Sequence, residues 1–366
     1  MIRACLLETD ILSTPKTLDD LETPCVLIDI DRATANLVRA QEYADKHGKQ
    51  LRPHIKTHKL PYWAKKQVEA GAVGITCQKI GEAEVMADAG IRDIFLPYNI
   101  IGKQKLARLL ALHGRITLSV TADSRETIQG LSETFTDPSH KLSVLVECDT
   151  GMGRCGVQDA EQALALAKLI TAAPGLSFGG LMTYPAAGKA AEANTWLKRA
   201  SDLLAQSGIA CERISSGGTP DMWHAGESDV VTEYRPGTYL YLDRSQVAVG
   251  VGTNDDCALT VLATVVSKPT ATRAILDSGS KALTSDTLGM TGFGEIVDVP
   301  DALVTGLSEE HGTVSLGEQG SLAIGDRVRI LPNHACVVTN LFDEVHLVSG
   351  NEVIETLPVA ARGRVT

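Results

Sequence analysis

The sequence predicts an α/β chain in which a parallel, TIM-like (β/α)8 barrel is followed by a smaller antiparallel β domain. Three observations support this. From Cys25 to about Asp243, short apolar runs alternate with amphipathic helical stretches, the pattern of a parallel sheet with helical crossovers. Eight such runs can be counted, the number that closes a barrel. Beyond Asp243 the runs become short and β-rich, with turn signals and no helical period between them, as in an antiparallel domain. These features place the barrel at residues 22–245 and the β-rich domain at 1–21 plus 246–366. A doubly wound open sheet is the alternative for the first part.

The expected barrel strands are Cys25–Ile30, Leu51–Ile55, Gly74–Gln78, Asp93–Pro97, Ile116–Val120, Leu142–Cys148, Phe178–Thr183 and Cys211–Ser215. Helical segments such as Arg32–Lys46, Ile80–Ala89, Lys103–Leu112 and Asp159–Thr171 lie between them. The β domain is expected to use Leu259–Val266, Arg273–Leu276, Thr313–Leu316, Arg327–Leu331, Ala335–Val338 and Glu344–Val348. Gly317-Glu318, Gly325-Asp326 and Gly350-Asn351 punctuate these runs.

Composition narrows the function classes. The chain has 366 residues, 44% of them hydrophobic, and no apolar run long enough to span a bilayer. The apolar part of Met1–Leu7 is too short for a signal peptide. A net charge of −11 without a basic cluster argues against nucleic acid and anionic membranes as partners. Eight scattered cysteines with no C-x-x-C pair fit a reduced cytoplasmic chain.

Polar and glycine residues gather where the expected strands stop. In parallel β/α barrels that end carries the catalytic groups. Lys56 follows the second strand within Arg52-Pro53-His54-Ile55-Lys56-Thr57-His58-Lys59. A lysine there, crowded by the imidazoles of His54 and His58, is placed to form a Schiff base with a carbonyl cofactor. Gln78, Asn99, Asp149 to Arg154, and Tyr184 end other strands. Ser216-Gly217-Gly218-Thr219 follows the last expected strand, where its glycines and hydroxyls suit a phosphate, and Tyr239 is either a further phosphate donor or a half-buried core tyrosine. His334-Ala335-Cys336, taken as a strand, presents imidazole and thiolate on one face. That donor pair suits a borderline-soft divalent ion with open positions left for substrate.

In this order the motifs resemble the D-threonine aldolase/D-serine dehydratase family, whose barrel is that of alanine racemase among fold-type III pyridoxal-phosphate enzymes. The likeness runs from about Leu21 to the C-terminus and rests on the Lys56 and His334 motifs, Cys77-Gln78-Lys79, Gly153-Arg154-Cys155-Gly156, Gly217-Gly218-Thr219 and Pro236-Gly237-Thr238-Tyr239. It implies pyridoxal 5'-phosphate on Lys56 and Arg154 facing the pyridine nitrogen. Gly217, Gly218, Thr219 and Tyr239 would hold the phosphate, with His54, Gln78, Tyr184 and Ser216 as further cofactor contacts. His334 and Cys336 would be ligands to Zn, Mn or Mg. It also implies a head-to-tail homodimer.

The resemblance implies a lyase acting on D-3-hydroxy amino acids. One reaction is retro-aldol cleavage of D-threonine-like substrates to glycine and an aldehyde, with His58, His224 or a metal-bound hydroxide as base. The other is β-elimination to a 2-oxo acid and ammonia, with Lys56 taking the Cα proton. A non-catalytic cofactor carrier is the third. Cys336 stands where the aldolase branch has aspartate, and no histidine closely follows Tyr184 in Thr183-Tyr184-Pro185-Ala186-Ala187-Gly188. Both features favour the dehydratases. Cys77-Gln78-Lys79 and Gly153-Arg154-Cys155-Gly156 lean the other way, toward the aldolase.

Overall fold

The computed structural model describes residues 16–318 and 320–366. Chain order begins with β1 (Cys25–Asp29), α1 (Ile30–Lys46), β2 (Gln50–Leu51), α2 (Pro61–Glu69), β3 (Ile75–Thr76) and α3 (Ile80–Asp88). It continues with β4 (Asp93–Asn99), α4 (Lys103–His113), β5 (Thr117–Ala122), α5 (Arg125–Thr134), β6 (Leu142–Cys148) and α6 (Ala160–Ala172). β7 (Leu176–Thr183), α7 (Ala190–Gln206), β8 (Ile214–Ser216) and β9 (Glu233–Tyr234) complete the repeat, and α8 (Arg244–Ala248) leads out of it.

The helices form for local reasons. The Asp29 carboxylate caps α1 by accepting from the N–H groups of Asp31 and Arg32, which satisfies donors with no intrahelical partner. Ala33, Leu37, Ala40 and Ala44 are buried on one face of α1, the spacing of an amphipathic helix. In the same way Asp159 caps α6, and Ala163, Leu166, Ala167 and Ile170 face inward.

β2 to β9 form one parallel sheet in the order β2-β9-β8-β7-β6-β5-β4-β3. Its two ends meet: Thr76 N–H donates to Pro53 O at 2.7 Å and Val73 N–H to Leu51 O at 2.9 Å. The sheet is therefore a closed eight-stranded barrel, as expected, but with a shifted strand list. Cys25–Asp29, expected as the first barrel strand, instead pairs with Leu259–Leu262 antiparallel and with His346–Val348 in parallel. The true last strand is Glu233–Tyr234, which the sequence reading passed over. An apolar run reveals burial but not which sheet buries it, and Glu233 broke the apolar signal of the last strand.

The second sheet is built from β1 together with β10 (Leu259–Thr270), β11 (Arg273–Leu276), β12 (Gly294–Ile296), β13 (Leu303–Leu307), β14 (Gly312–Ser315), β15 (Arg327–Pro332), β16 (Glu344–Ser349) and β17 (Glu352–Pro358). β10 pairs with both β11 and β15, so six strands close on themselves while β1, β16 and β17 extend the sheet. Helices interrupt this domain, contrary to expectation: α9 (Ser280–Leu283) and α10 (Ala335–Leu341). The latter replaces the expected strand Ala335–Val338. The carboxylate of Asp243 accepts the Ala335 N–H at 2.9 Å, which favours a helix start there. Of the expected β-rich contribution from residues 1–21, only the end can be followed, where Thr17 bridges Glu352. The rest, including Met1–Leu7, lies outside the described residues.

Inside the barrel a charge network takes the place of purely apolar filling. Glu233 is fully buried and accepts from Arg52 Nε at 2.7 Å and Arg213 Nη2 at 2.8 Å. Burial alone would push its carboxyl up, but the two guanidiniums outweigh it and hold the group down at about 2. The folded-state value lies below the ordinary 4.5, so the stabilisation is complete above about pH 4.5 and is lost as the pH falls toward 2. Glu233→Gln should therefore cost about 3–5 kcal/mol in urea unfolding at neutral pH. The stability of the variant should also fall less steeply than that of the parent between pH 4.5 and 2. Parallel pH–stability curves would show that this carboxylate does not contribute as argued.

Candidate active site at the barrel mouth

A cavity of about 170 Å³ opens at the C-terminal ends of the barrel strands. His54 and Lys56 enter it from the segment after β2, where Ile55–Thr57 forms a single 3-10 turn. Gln78 follows β3, Arg154 follows β6, Tyr184 follows β7, and Gly217, Gly218 and Thr219 follow β8. His334 and Cys336 reach it from the second domain. Ten predicted site residues thus converge on one space.

Three do not. His58 is fully buried with its Nδ1 accepting the Leu60 N–H at 3.1 Å, and burial drives its imidazole down to about 3. It packs edge-on against Tyr241, outside the cavity lining. The Tyr239 hydroxyl is taken by Gln67 Nε2 at 3.1 Å, so this side chain belongs to the core. Ser216 lies among Pro185, His224 and Tyr234, on the far side of the glycine turn. Sequence order placed these residues next to functional neighbours, but backbone direction turned their side chains away. His224 is exposed and paired with Glu227.

The lysine side of the cavity is held by short polar contacts. His54 Nδ1 accepts the Lys56 N–H at 3.2 Å. The ring therefore carries its proton on Nε2, which donates to Gln78 Oε1 at 3.0 Å. Burial, followed by the charge of Lys56, pushes the His54 imidazole well below its ordinary value, so it stays neutral. Behind this turn, buried Glu82 accepts from Lys59 Nζ at 2.5 Å and from the N–H groups of Gln78 and Lys79 at 2.8 and 3.1 Å. One carboxylate thereby joins the loops that carry Lys56 and Gln78. The Tyr184 ring is shared by two cations, with Lys56 Nζ 5.8 Å and Arg154 Cζ 5.1 Å from its centroid.

The glycine turn leaves a recess that side chains would fill. Gly217 has φ +111°, and a Cβ there would sit 2.5 Å from the Tyr234 ring. A Cβ on Gly218 would meet Tyr184 at 2.8 Å. Thr219 Oγ1 accepts N–H groups from Gly237 at 3.2 Å and Tyr239 at 3.1 Å, which occupies its lone pairs and leaves its proton to donate. Bare backbone beside a free hydroxyl donor fits a phosphate group.

Opposite this recess, the hydroxyls of Thr57 and Thr238 approach Cys336 Sγ at 3.1 and 3.5 Å. His334 Nδ1 lies 2.8 Å from Asp286 Oδ2. Burial works against the imidazolium, but the bond to Cys336 and its charge, with Asp286 behind, raise His334 to about 9. Burial also opposes the Cys336 thiolate, and the bond to His334 with its charge lowers the thiol overall. Among the described residues no set of three or more His, Cys, Asp and Glu is disposed to hold a metal ion. The donors present fit an ion held by one nitrogen and one sulfur, with its other positions left to substrate or water.

Several lining residues went unnoticed in the sequence: Arg235, Thr238, Ser245 and Gln246. Thr238 lies in a motif whose tyrosine drew the attention. Ser245 and Gln246 lie on α8, at the seam between the domains, where no strand end marks them.

Known proteins match this architecture along most of its length. The family described as "Alanine racemase, N-terminal domain" matches residues 28–245, and the "Putative serine dehydratase domain" matches residues 258–348. The chain is 36% identical to a D-threonine aldolase of an Arthrobacter species, over 94% of this chain and 93% of that one. It is 31% identical to D-threo-3-hydroxyaspartate dehydratase of Delftia sp. HT23, over 93% and 97%. The crystal structure of D-threonine aldolase from Filomicrobium marinum superposes with a TM-score of 0.90 at 31% identity, covering 97% of this chain and 100% of that one. With the lysine, the glycine turn and the His-x-Cys pair gathered at the mouth of such a barrel, the chain belongs to the alanine-racemase-like family of D-threonine aldolases and D-3-hydroxy amino acid dehydratases.

Proposed function

We propose that this protein is a lyase, dependent on pyridoxal 5'-phosphate and a divalent metal, that splits D-3-hydroxy amino acids of the D-threonine type into glycine and an aldehyde. The observation that carries this reading is that Lys56 and the His334–Cys336 pair line one cavity, tied together by the Thr57 hydroxyl at Cys336 Sγ. Lys56 would hold the cofactor, and Gly217, Gly218 and Thr219 would hold its phosphate. Arg154 would face the ring nitrogen, and its permanent charge would leave that nitrogen unprotonated. The cofactor supplies an electron sink for the bond broken at Cα, and an ion on His334 and Cys336 supplies acidity to the β-hydroxyl.

The chain's own groups decide the rest. In cleavage the Lys56 amine would deliver a proton to Cα after the Cα–Cβ bond breaks, and the β-hydroxyl proton would pass to a hydroxide at an open position of the ion. In elimination Lys56 would instead take the Cα proton. Its neighbour His54 is held neutral with its proton committed to Gln78, so it orients rather than exchanges protons. His58 and His224 do not line the cavity, so this reading uses neither as a base for the β-hydroxyl. The alternative reaction, β-elimination to a 2-oxo acid and ammonia, is favoured by the cysteine at position 336 and by the 31% identical dehydratase. A cysteine-to-alanine mutant of D-threo-3-hydroxyaspartate dehydratase solved in a metal-free form, with a TM-score of 0.86, supports the metal assignment. The second domain and its His-x-Cys pair argue against a mere cofactor carrier.

We further propose a head-to-tail homodimer, as the family resemblance implies, and a cytoplasmic location. The seven cysteines among the described residues are free thiols, as expected in a reducing compartment. Among the described residues no helix is long and apolar enough to cross a membrane.

Borohydride treatment of the purified protein should fix the cofactor irreversibly onto Lys56, and Lys56→Ala should lose both this attachment and nearly all turnover. Mapping of the label to Lys59 or Lys79 would refute the assignment. D-Threonine should yield acetaldehyde and glycine, with L-threonine inert. Should 2-oxobutanoate and ammonia appear without acetaldehyde, elimination is the reaction. Exhaustive chelation should abolish turnover and leave the bound cofactor's absorbance in place. Cys336→Ala should weaken metal uptake, and His334→Ala should do so more. Full activity in protein shown to be metal-free would end the metal role.

A further inference from the structure

Asp286 lies outside every sequence motif, in the loop between α9 and β12, yet two consecutive residues at the site hold it. Its main-chain carbonyl accepts Asn333 Nδ2 at 3.1 Å. Its carboxylate meets Nδ1 of the next residue, His334, at 2.8 Å. Asn333 is completely buried and donates also to Gly292 O at 2.9 Å, so it staples both arms of the loop. Arg244 fixes the staple from the other side by donating to Asn333 Oδ1 at 2.5 Å while pairing with Glu295 at 2.9 Å. Within the loop, Thr284 adopts φ +63° and its hydroxyl accepts the Asp286 N–H at 3.2 Å. The loop backbone that carries this carboxylate is therefore anchored beside the ring it meets.

From this geometry we infer that Asp286 is a positioning residue for the metal, fixing the tautomer and plane of His334 so that its Nε2 lone pair faces the cavity beside Cys336. A carboxylate can only accept at His334 Nδ1, which keeps a proton there, so Nε2 is the nitrogen that gives up its proton to an ion and becomes the ligand atom. Metal-bound histidines are commonly held in this way from behind. The Asp286 side chain is 41% exposed, so solvent screens its charge and its contribution is orientation. The inference rests on the metal site proposed above.

The test uses the full-length protein with its pyridoxal phosphate bound. Zn2+ affinity is measured by competition with a chromophoric chelator, and Co2+ is substituted to record the visible spectrum. Asp286→Ala should weaken Zn2+ binding about 10- to 100-fold and change the Co2+ spectrum, with cofactor absorbance unchanged. Asp286→Asn still offers an oxygen to Nδ1–H and should recover most of the affinity and the parental spectrum. Asp286→Ser, too short to reach the ring, should behave like the alanine variant and replaces it if that variant loses its cofactor. Parental affinity in the alanine or serine variant overturns the inference, as does an equal loss in the asparagine variant. A parent protein that takes up no Zn2+ removes the proposed metal site itself, a distinguishable outcome that takes this inference with it.

Discussion

The closure of the barrel around Glu233 is the constraint on which the site depends. β2 and β9 are each two residues long, too short to be held by ladder hydrogen bonds alone. The carboxylate of Glu233 on β9 joins Arg52, just past β2, to Arg213, just before β8. Three segments distant in sequence are thereby registered at the strand ends. Lys56 is four residues beyond Arg52, and the glycine turn is four beyond Arg213. Both halves of the proposed cofactor site are therefore anchored close to one buried ion network. Burying charge is costly unless each is paired, and removing one partner leaves the others unsatisfied.

The second constraint is the seam between the domains. Cys336 and His334 belong to the β domain, yet Cys336 Sγ contacts Thr57 and Thr238 from the barrel. Asp243 spans the same seam: its Oδ1 caps α8, and its Oδ2 receives the first N–H of α10. The proposed metal site is thus built on a junction, with cofactor groups on one side and ion ligands on the other. Under that proposal, such a placement would bring a hydroxyl on the substrate's β-carbon to the ion while its amine reaches Lys56.

Much of this was legible in advance because the signals are local. A lysine after a strand, a glycine turn before a helical segment and a His-x-Cys pair carry their chemistry in adjacent residues. The barrel was legible because crossover helices impose an alternation that few other folds share. Less legible were the groups that work through others. Glu82 ties two loops from within a helix, and Asp286 supports His334 across 48 positions. Neither has a neighbour in sequence that hints at its partner.

By itself, the sequence determined the repeat of strands and helices, the residue types at the strand ends and the family motifs. Tertiary structure alone decided which sheet received Cys25–Asp29, because an apolar run is equally content in either. It also decided that His58 and Tyr239 serve the core while His54 and Thr238 face the cavity. In a tight turn, side chains one or two residues apart point in different directions, and only the packed neighbours select which of them meets solvent or ligand. The His334–Cys336 pair shows both levels at once. The sequence placed the two donors side by side, and although the expected strand became a helix start, the seam still brought nitrogen and sulfur to one point.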